Sequence, residues 1–206
     1  MQRELIVTEL SPGEFTARLD QVIAVYAAAM GPPPDTLAGR RSIMAGHAAY
    51  PGFRALTAAE DGGSGEAVGF CYGFRGSPGQ WWHDTVARAL AAARGARAAA
   101  AWLDDTFEVA ELHVAPGHQG AGIGSGLLLG LTSGRPERTA MLSTRDAETR
   151  ARRLYRGVGF TDLLTGFEFF PGGEPPYAVM GAELPLWALA RGPGSARLRW
   201  PRPSRW

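Results

Sequence analysis

The chain contains no lysine, no asparagine and a single cysteine in 206 residues. Without lysine there is no Schiff-base amine and no cation for a Walker-type phosphate loop, whose Gly-Lys-Ser/Thr step is absent. With one cysteine there is neither an intramolecular disulfide nor a thiolate metal site. Cys71 lies in the apolar run Ala67-Val68-Gly69-Phe70-Cys71-Tyr72 and reads as a buried structural thiol, not a nucleophile. A charge excess of one sign is missing too. All 21 basic residues are arginine, against 20 acidic ones, and the net charge of +1 sets up no field for nucleic acid or an anionic membrane. No apolar stretch is long enough to span a bilayer. The opening Met1-Gln2-Arg3-Glu4-Leu5-Ile6-Val7 is too short and too charged for a signal peptide, so a cytoplasmic location is expected. The four histidines are scattered, and no metal site is expected.

What is present is enough apolar matter for a core, at 45% of residues. One domain is expected over residues 1–189, followed by an Arg- and Pro-rich flexible tail over 190–206. Residues 5–10 read as a strand. Ser11 caps a helix with Pro12 at its first position, running to Met30 on the apolar spacing Phe15, Leu19, Val22, Ile23, Tyr26. Pro32-Pro33-Pro34 breaks it, and Asp35 opens a second helix through His47. Residues 53–59 and 67–74 form a hairpin around a glycine-rich connector. An extra Ala-rich helix is expected over 80–105, weakened at Gly95. Then come a strand over 107–114, a helix over 122–132, a strand over 139–143, a helix capped by Asp146, and strands over 164–170 and 177–184. A central mixed sheet of about six to seven strands follows, an α/β fold with at least one right-handed parallel crossover.

The chemistry concentrates where the strand ending at Val114 meets a helix through Gln119-Gly120-Ala121-Gly122-Ile123-Gly124-Ser125. The first turn of a helix carries unpaired N–H groups and the positive end of its dipole, and glycines let an anion approach the backbone. A dinucleotide fingerprint fails in both registers, because its third glycine falls on Ser125 or on Leu127. The pattern Gln/Arg-x-x-Gly-x-Gly/Ala is met by Gln119, Gly122 and Gly124. Gly126 and Gly130 further along the helix each cost about 1 kcal/mol relative to alanine.

Two motifs in order carry a resemblance. The strand reads Leu112-His113-Val114-Ala115-Pro116 ahead of the glycine loop, and further on Ala151, Leu154, Tyr155, Gly159 and Phe160 fit Ala-x-x-Leu-Tyr-x-x-x-Gly-Phe. Over residues 107–162 the chain resembles the GNAT superfamily of acetyl-CoA-dependent N-acetyltransferases. The resemblance implies that the backbones of Leu112 and Val114 pair with the pantetheine arm. It implies that amides of Gln119, Gly120, Ala121, Gly122, Ile123, Gly124 and Ser125 hold the pyrophosphate, and that the strand splays from its neighbour to admit the thioester. Glu148 stands where members often have an asparagine that touches the cofactor.

The resemblance also implies direct attack of an amine on acetyl-CoA in a ternary complex, with Tyr155 protonating the leaving thiolate. Glu108, four residues before Leu112, is the first candidate base and Glu111 the second. Strand alternation puts Glu108, Ala110, Leu112 and Val114 on one face and Val109, Glu111 and His113 on the other. His113 and His118 are expected at the surface or in a loop. Tyr26, Met30, Trp82 and Glu168 are candidates to line the site of an amine acceptor, a small molecule or a peptide. The aromatic run from Phe167 to Phe170 is a candidate either for core or for a homodimer interface. The rival reading is a non-catalytic acyl-CoA sensor or partner subunit on the same fold.

Overall fold

A computed structural model describes residues 4–62, 65–170, 172, 175–187 and 196–200. Its elements run β1 (Glu4–Leu10), α1 (Pro12–Ala17), α2 (Leu19–Met30), α3 (Leu37–His47), β2 (Arg54–Glu60), β3 (Ala67–Gly76), α4 (Trp81–Arg94), α5 (Ala96–Leu103), β4 (Thr106–Val114), α6 (Ile123–Thr132), β5 (Thr139–Arg145), α7 (Arg150–Gly157), β6 (Thr161–Phe167), β7 (Tyr177–Glu183) and β8 (Arg197–Arg199). The strands form one mixed sheet in the order β6-β7-β5-β4-β3-β2-β1-β8. β4 and β5 are parallel, as are β1 and β8, while β1–β2, β2–β3, β5–β7 and β6–β7 are antiparallel. The mixed α/β fold is as expected.

The eighth strand comes from the stretch 190–206, expected as a flexible tail. There Glu4, Leu5 and Ile6 of β1 take Arg197, Leu198 and Arg199 as parallel partners. The remainder of that stretch lies outside the described residues.

The chain divides into two compact units: residues 1–74, 110–131 and 190–206 in the first, and 75–109 and 132–189 in the second. In the first, α1, α2 and α3 lay Phe15, Leu19, Val22, Val25, Tyr26 and Met44 on Phe70, Tyr72 and Phe74 of β3. Full burial of each such side chain is worth about 1.5–3 kcal/mol. In the second, Val86 and Leu90 of α4 and Ala99 and Leu103 of α5 pack with Met141, Leu163 and Val179. Phe167 and Phe169 pack on that second core, whereas Phe170 is exposed.

Boundaries departed from the expected ones for identifiable reasons. Ser11 and Glu14 form a reciprocal capping box that starts α1, but Arg18 leaves helical geometry (φ −103°) and divides the expected helix in two. Gly95, with φ 87°, divides the Ala-rich segment into α4 and α5. α7 begins three residues later than a cap at Asp146 would put it. The Asp146 carboxylate is engaged elsewhere, accepting from buried Arg152 (2.5 Å) and from the Gly166 N–H (2.6 Å). Thr149 caps instead, its Oγ1 accepting from the Arg152 N–H at 3.1 Å. Strand β6 starts at Thr161, directly after Phe160, and ends before Glu168.

Replacing Thr149 by alanine is expected to cost about 1 kcal/mol, the usual loss of a side-chain cap. Asp146→Ala is expected to cost more, because among the described residues Arg152 then keeps one carboxylate partner, Asp162. Urea unfolding of the two variants checks the order; equal stabilities would reassign the cap.

Candidate functional site

In the first unit β4 leads into the glycine loop. Ala115 donates its N–H to the Val68 carbonyl (2.9 Å), which holds the end of β4 beside β3. Residues Pro116–His118 make one 3-10 turn, and Gln119 is extended. Gly120 and Gly122 then take φ of 81° and 78°, a left-handed geometry that a side chain would strain. Two side chains brace the turn from within. The Gln119 amide donates to the Val114 carbonyl (2.9 Å), and the Ser125 hydroxyl donates to the Gly122 carbonyl (2.9 Å). The first helical bond of α6 runs from the Gly126 N–H to the Gly122 carbonyl at 3.0 Å. Among the described residues, the backbone N–H groups of Gly120, Ala121, Gly122, Ile123, Gly124 and Ser125 donate to no acceptor. Free N–H groups at the head of a helix, where its dipole is positive, are the arrangement that favours an anion. Leu112 and Val114 are half-buried on β4 just ahead of the loop.

The same unit gathers a polar cluster that the sequence showed only in part. Glu111 accepts from Arg40 of α3 at 3.1 Å, and its second oxygen lies 2.5 Å from His113 Nε2. Both oxygens of Glu111, the second-choice base, are thus engaged within the first unit. His113 is not a surface residue: its ring sits edge-on to Tyr26 (5.2 Å) and against Phe70 (5.4 Å). Tyr26 is buried in the core, and its ring carries Arg40 at 5.2 Å. Met30, at the end of α2, is exposed. Nearby, His47 Nδ1 meets the Tyr72 hydroxyl at 3.0 Å, and burial holds the His47 imidazole below its usual pKa. The pairing of Glu111 and His113 was legible in strand alternation. Arg40 was not, because nothing in the spacing joins positions so far apart in the chain.

In the second unit Glu108 is 5% exposed on β4, and its Oε2 finds no partner among the described residues. Burial pushes its carboxyl up to about 8. Thr106, two residues earlier on the same face of β4, has a hydroxyl equally without partner. The ladder between β4 and β5 registers Thr106, Phe107 and Glu108 against Thr139, Ala140 and Met141. Tyr155 of α7 is buried beside Phe160, with ring centroids 5.8 Å apart. Glu148 is exposed and its carboxylate accepts from Arg156 at 2.6 Å. It therefore serves the α7 ion-pair network, which also joins Arg152, Asp146 and Asp162. Trp82 packs on the core of α4 and α5 and donates its indole N–H to Ser143 at 3.1 Å. Glu168 accepts from the Gly172 N–H at 3.2 Å.

Cys71 in the first unit is buried, its thiol donates to the Leu127 carbonyl (3.4 Å), and burial pushes its pKa far up. A thiol held protonated in this way is no nucleophile. Among the described residues no cluster of three or more His, Cys, Asp or Glu side chains has the arrangement to hold a metal. No helix among them is long and apolar enough to cross a membrane.

Comparison with known proteins bears on the loop and on the strand before it. A protein of Mycobacterium tuberculosis (strain ATCC 25618 / H37Rv) named GCN5-like protein acetyltransferase Rv2170 is 34% identical over 206 residues, covering 88% of this chain and 99% of that protein. Among solved structures, the NatC complex bound to Gag peptide and CoA aligns with a TM-score of 0.60 at 14% identity, covering 88% of this chain and 99% of that one. The acetyltransferase YncA from Salmonella typhimurium, with its cofactor acetyl-CoA, aligns with a TM-score of 0.56 at 16% identity over 91% of this chain and 98% of that one. These two share its fold. The profile of the acetyltransferase (GNAT) family matches residues 23–160, a span that takes in β4, the glycine loop, α6 and α7, and the chain belongs to that family.

Proposed function

We propose that this chain is an N-acetyltransferase that moves the acetyl group of acetyl-CoA to a primary amine by direct attack. The observation that carries the reading is the run of acceptor-free amides from Gly120 to Ser125 at the start of α6. Six adjacent donors at the positive end of a helix suit two linked phosphates better than a single carboxylate. The solved structures that share the fold include one with CoA and one with acetyl-CoA, which supports the same cofactor here. The backbone of Leu112 and Val114 is the segment assigned to the pantetheine arm, and Gln119 to the loop it braces.

The reaction needs three proton-linked events. The acceptor ammonium loses a proton, the nitrogen forms a bond to the acetyl carbon, and the carbon–sulfur bond breaks with the thiolate taking a proton. Glu108 is assigned the first. Its carboxyl titrates near 8, close to working pH, where a base is strong enough to accept a proton yet still partly ionised. Tyr155 is assigned the last, donating its phenolic proton to sulfur. Cys71, buried and protonated, is a poor candidate for an acyl-enzyme, which supports direct attack. The relative named as a protein acetyltransferase supports a peptide or protein amine among the acceptors to test. Tyr26, Met30, Trp82 and Glu168 stay the candidates for contact with the acceptor.

Acetyl-CoA is expected to bind saturably in calorimetry and to release free thiol with at least one amine from a panel of peptides, polyamines and small amines. Absence of any coenzyme binding would end the reading. The Glu108→Gln variant is expected to lose about 10²–10⁴-fold in kcat. In the wild type, kcat/KM is expected to rise with pH through about 8, an inflection that the variant lacks. Tyr155→Phe is expected to lower kcat with little change in KM for acetyl-CoA.

Glu108 also links stability to pH. Its folded pKa lies above the unfolded value, so its contribution is fully present below about 4.5 and is lost as pH rises through about 8. Glu108→Gln is therefore expected to match the wild type in melting temperature near pH 4 and to exceed it near pH 9. A parallel pair of curves would mean that the carboxyl is not desolvated as described.

A further inference from the structure

Gly126 and Gly130 of α6 sit one turn apart on the same helix face. Both are occupied sockets. A Cβ at Gly126 would collide with Leu198 Cδ1, and a Cβ at Gly130 would collide with the ring of Trp200. Leu198 belongs to β8, where it pairs with Leu5 of β1, and Trp200 follows directly. Arg199 adds ion pairs to Asp61 (3.0 Å) and Glu4 (3.6 Å). At its other end the same segment reaches the loop itself, because the Ala196 N–H donates to the Ala121 carbonyl at 2.8 Å.

That last bond has a directional effect. The peptide plane between Ala121 and Gly122 is trans, so its C=O and N–H point opposite ways. Holding the Ala121 oxygen on Ala196 fixes the Gly122 N–H to point away from β8. Of the two residues that flank that plane, Ala121 and Gly122, the second is a glycine at positive φ and resists rotation of the plane very little. The hydrogen bond from outside the loop supplies the restraint that the glycine lacks.

We propose that residues 196–200 act as a strap that positions the coenzyme loop. Leu198 and Trp200 seat in the Gly126 and Gly130 sockets, and Ala196 orients the Ala121–Gly122 peptide toward the coenzyme. The inference rests on the reading of the loop as the pyrophosphate site. These are positioning residues: they touch the loop and α6 and take no part in the acetyl transfer.

The test is a cycle of Leu198→Ala, Gly126→Ala and the double variant, with a chain ending after Ser195 as a fourth form. Leu198→Ala and the shortened chain are expected to raise KM for acetyl-CoA about tenfold, a typical coupling between residues in contact, while kcat stays within about twofold. Gly126→Ala evicts Leu198 and is expected to do the same. In the double variant the new Cβ takes up room that Leu198 vacated, so most of the loss is expected to return. In coenzyme-free protein, the Gly126 amide is expected to exchange its hydrogen about tenfold faster in Leu198→Ala than in the wild type. Unchanged KM and exchange in Leu198→Ala, or a double variant no better than Gly126→Ala alone, would overturn the strap. The exchange arm needs no coenzyme. It decides the strap even where wild-type protein fails to bind acetyl-CoA, a failure that would count against the pyrophosphate reading instead.

Discussion

The first amides of α6 have no acceptor among the described residues, and this condition governs much of the first unit. It calls for residues that expose the backbone, hence Gly120, Gly122 and Gly124. Those residues in turn lack the stiffness that a binding site needs. The structure answers with three separate fasteners on one short turn. The Gln119 side chain takes the Val114 carbonyl, the Ser125 hydroxyl takes the Gly122 carbonyl, and Ala196 takes the Ala121 carbonyl. Each of them binds an oxygen, and none of them uses up an N–H of the run. The loop is held by its acceptors so that its donors stay available.

A second contrast runs along β4. Glu108 and Glu111 are three residues apart on one strand, and their surroundings give them opposite characters. Glu111 has Arg40 on one oxygen and His113 on the other. Glu108 has one oxygen with no partner and almost no contact with solvent, which leaves its ionisation costly and its affinity for a proton high. Strand alternation separates the two faces, and the packing on each face then decides which acid keeps a reactive proton.

Much of this was legible in the residues. The loop, the two motifs and the order of strands and helices follow from short-range pattern, and the structure reproduces them with shifted ends. What stayed hidden depends on partners that no motif or helical spacing announces. Gly126 and Gly130 read as a defect in a helix, because the side chains that need the space are Leu198 and Trp200. Asp146 read as a cap, because its real partners are Arg152 and the Gly166 amide. In each case local chemistry was read correctly for a side chain free to act locally, and a tertiary partner claimed it first.

The ion pairs described above have a cation of one kind. Arg40, Arg152, Arg156 and Arg199 hold their carboxylates with guanidinium, and the sequence holds no lysine to do it otherwise. Guanidinium keeps its proton at any physiological pH and so has no lone pair to offer an electrophile. If the chain handles a reactive thioester as proposed, it carries no side-chain amine of its own to be modified by it. Its salt bridges keep their charge however long the acyl donor stays bound.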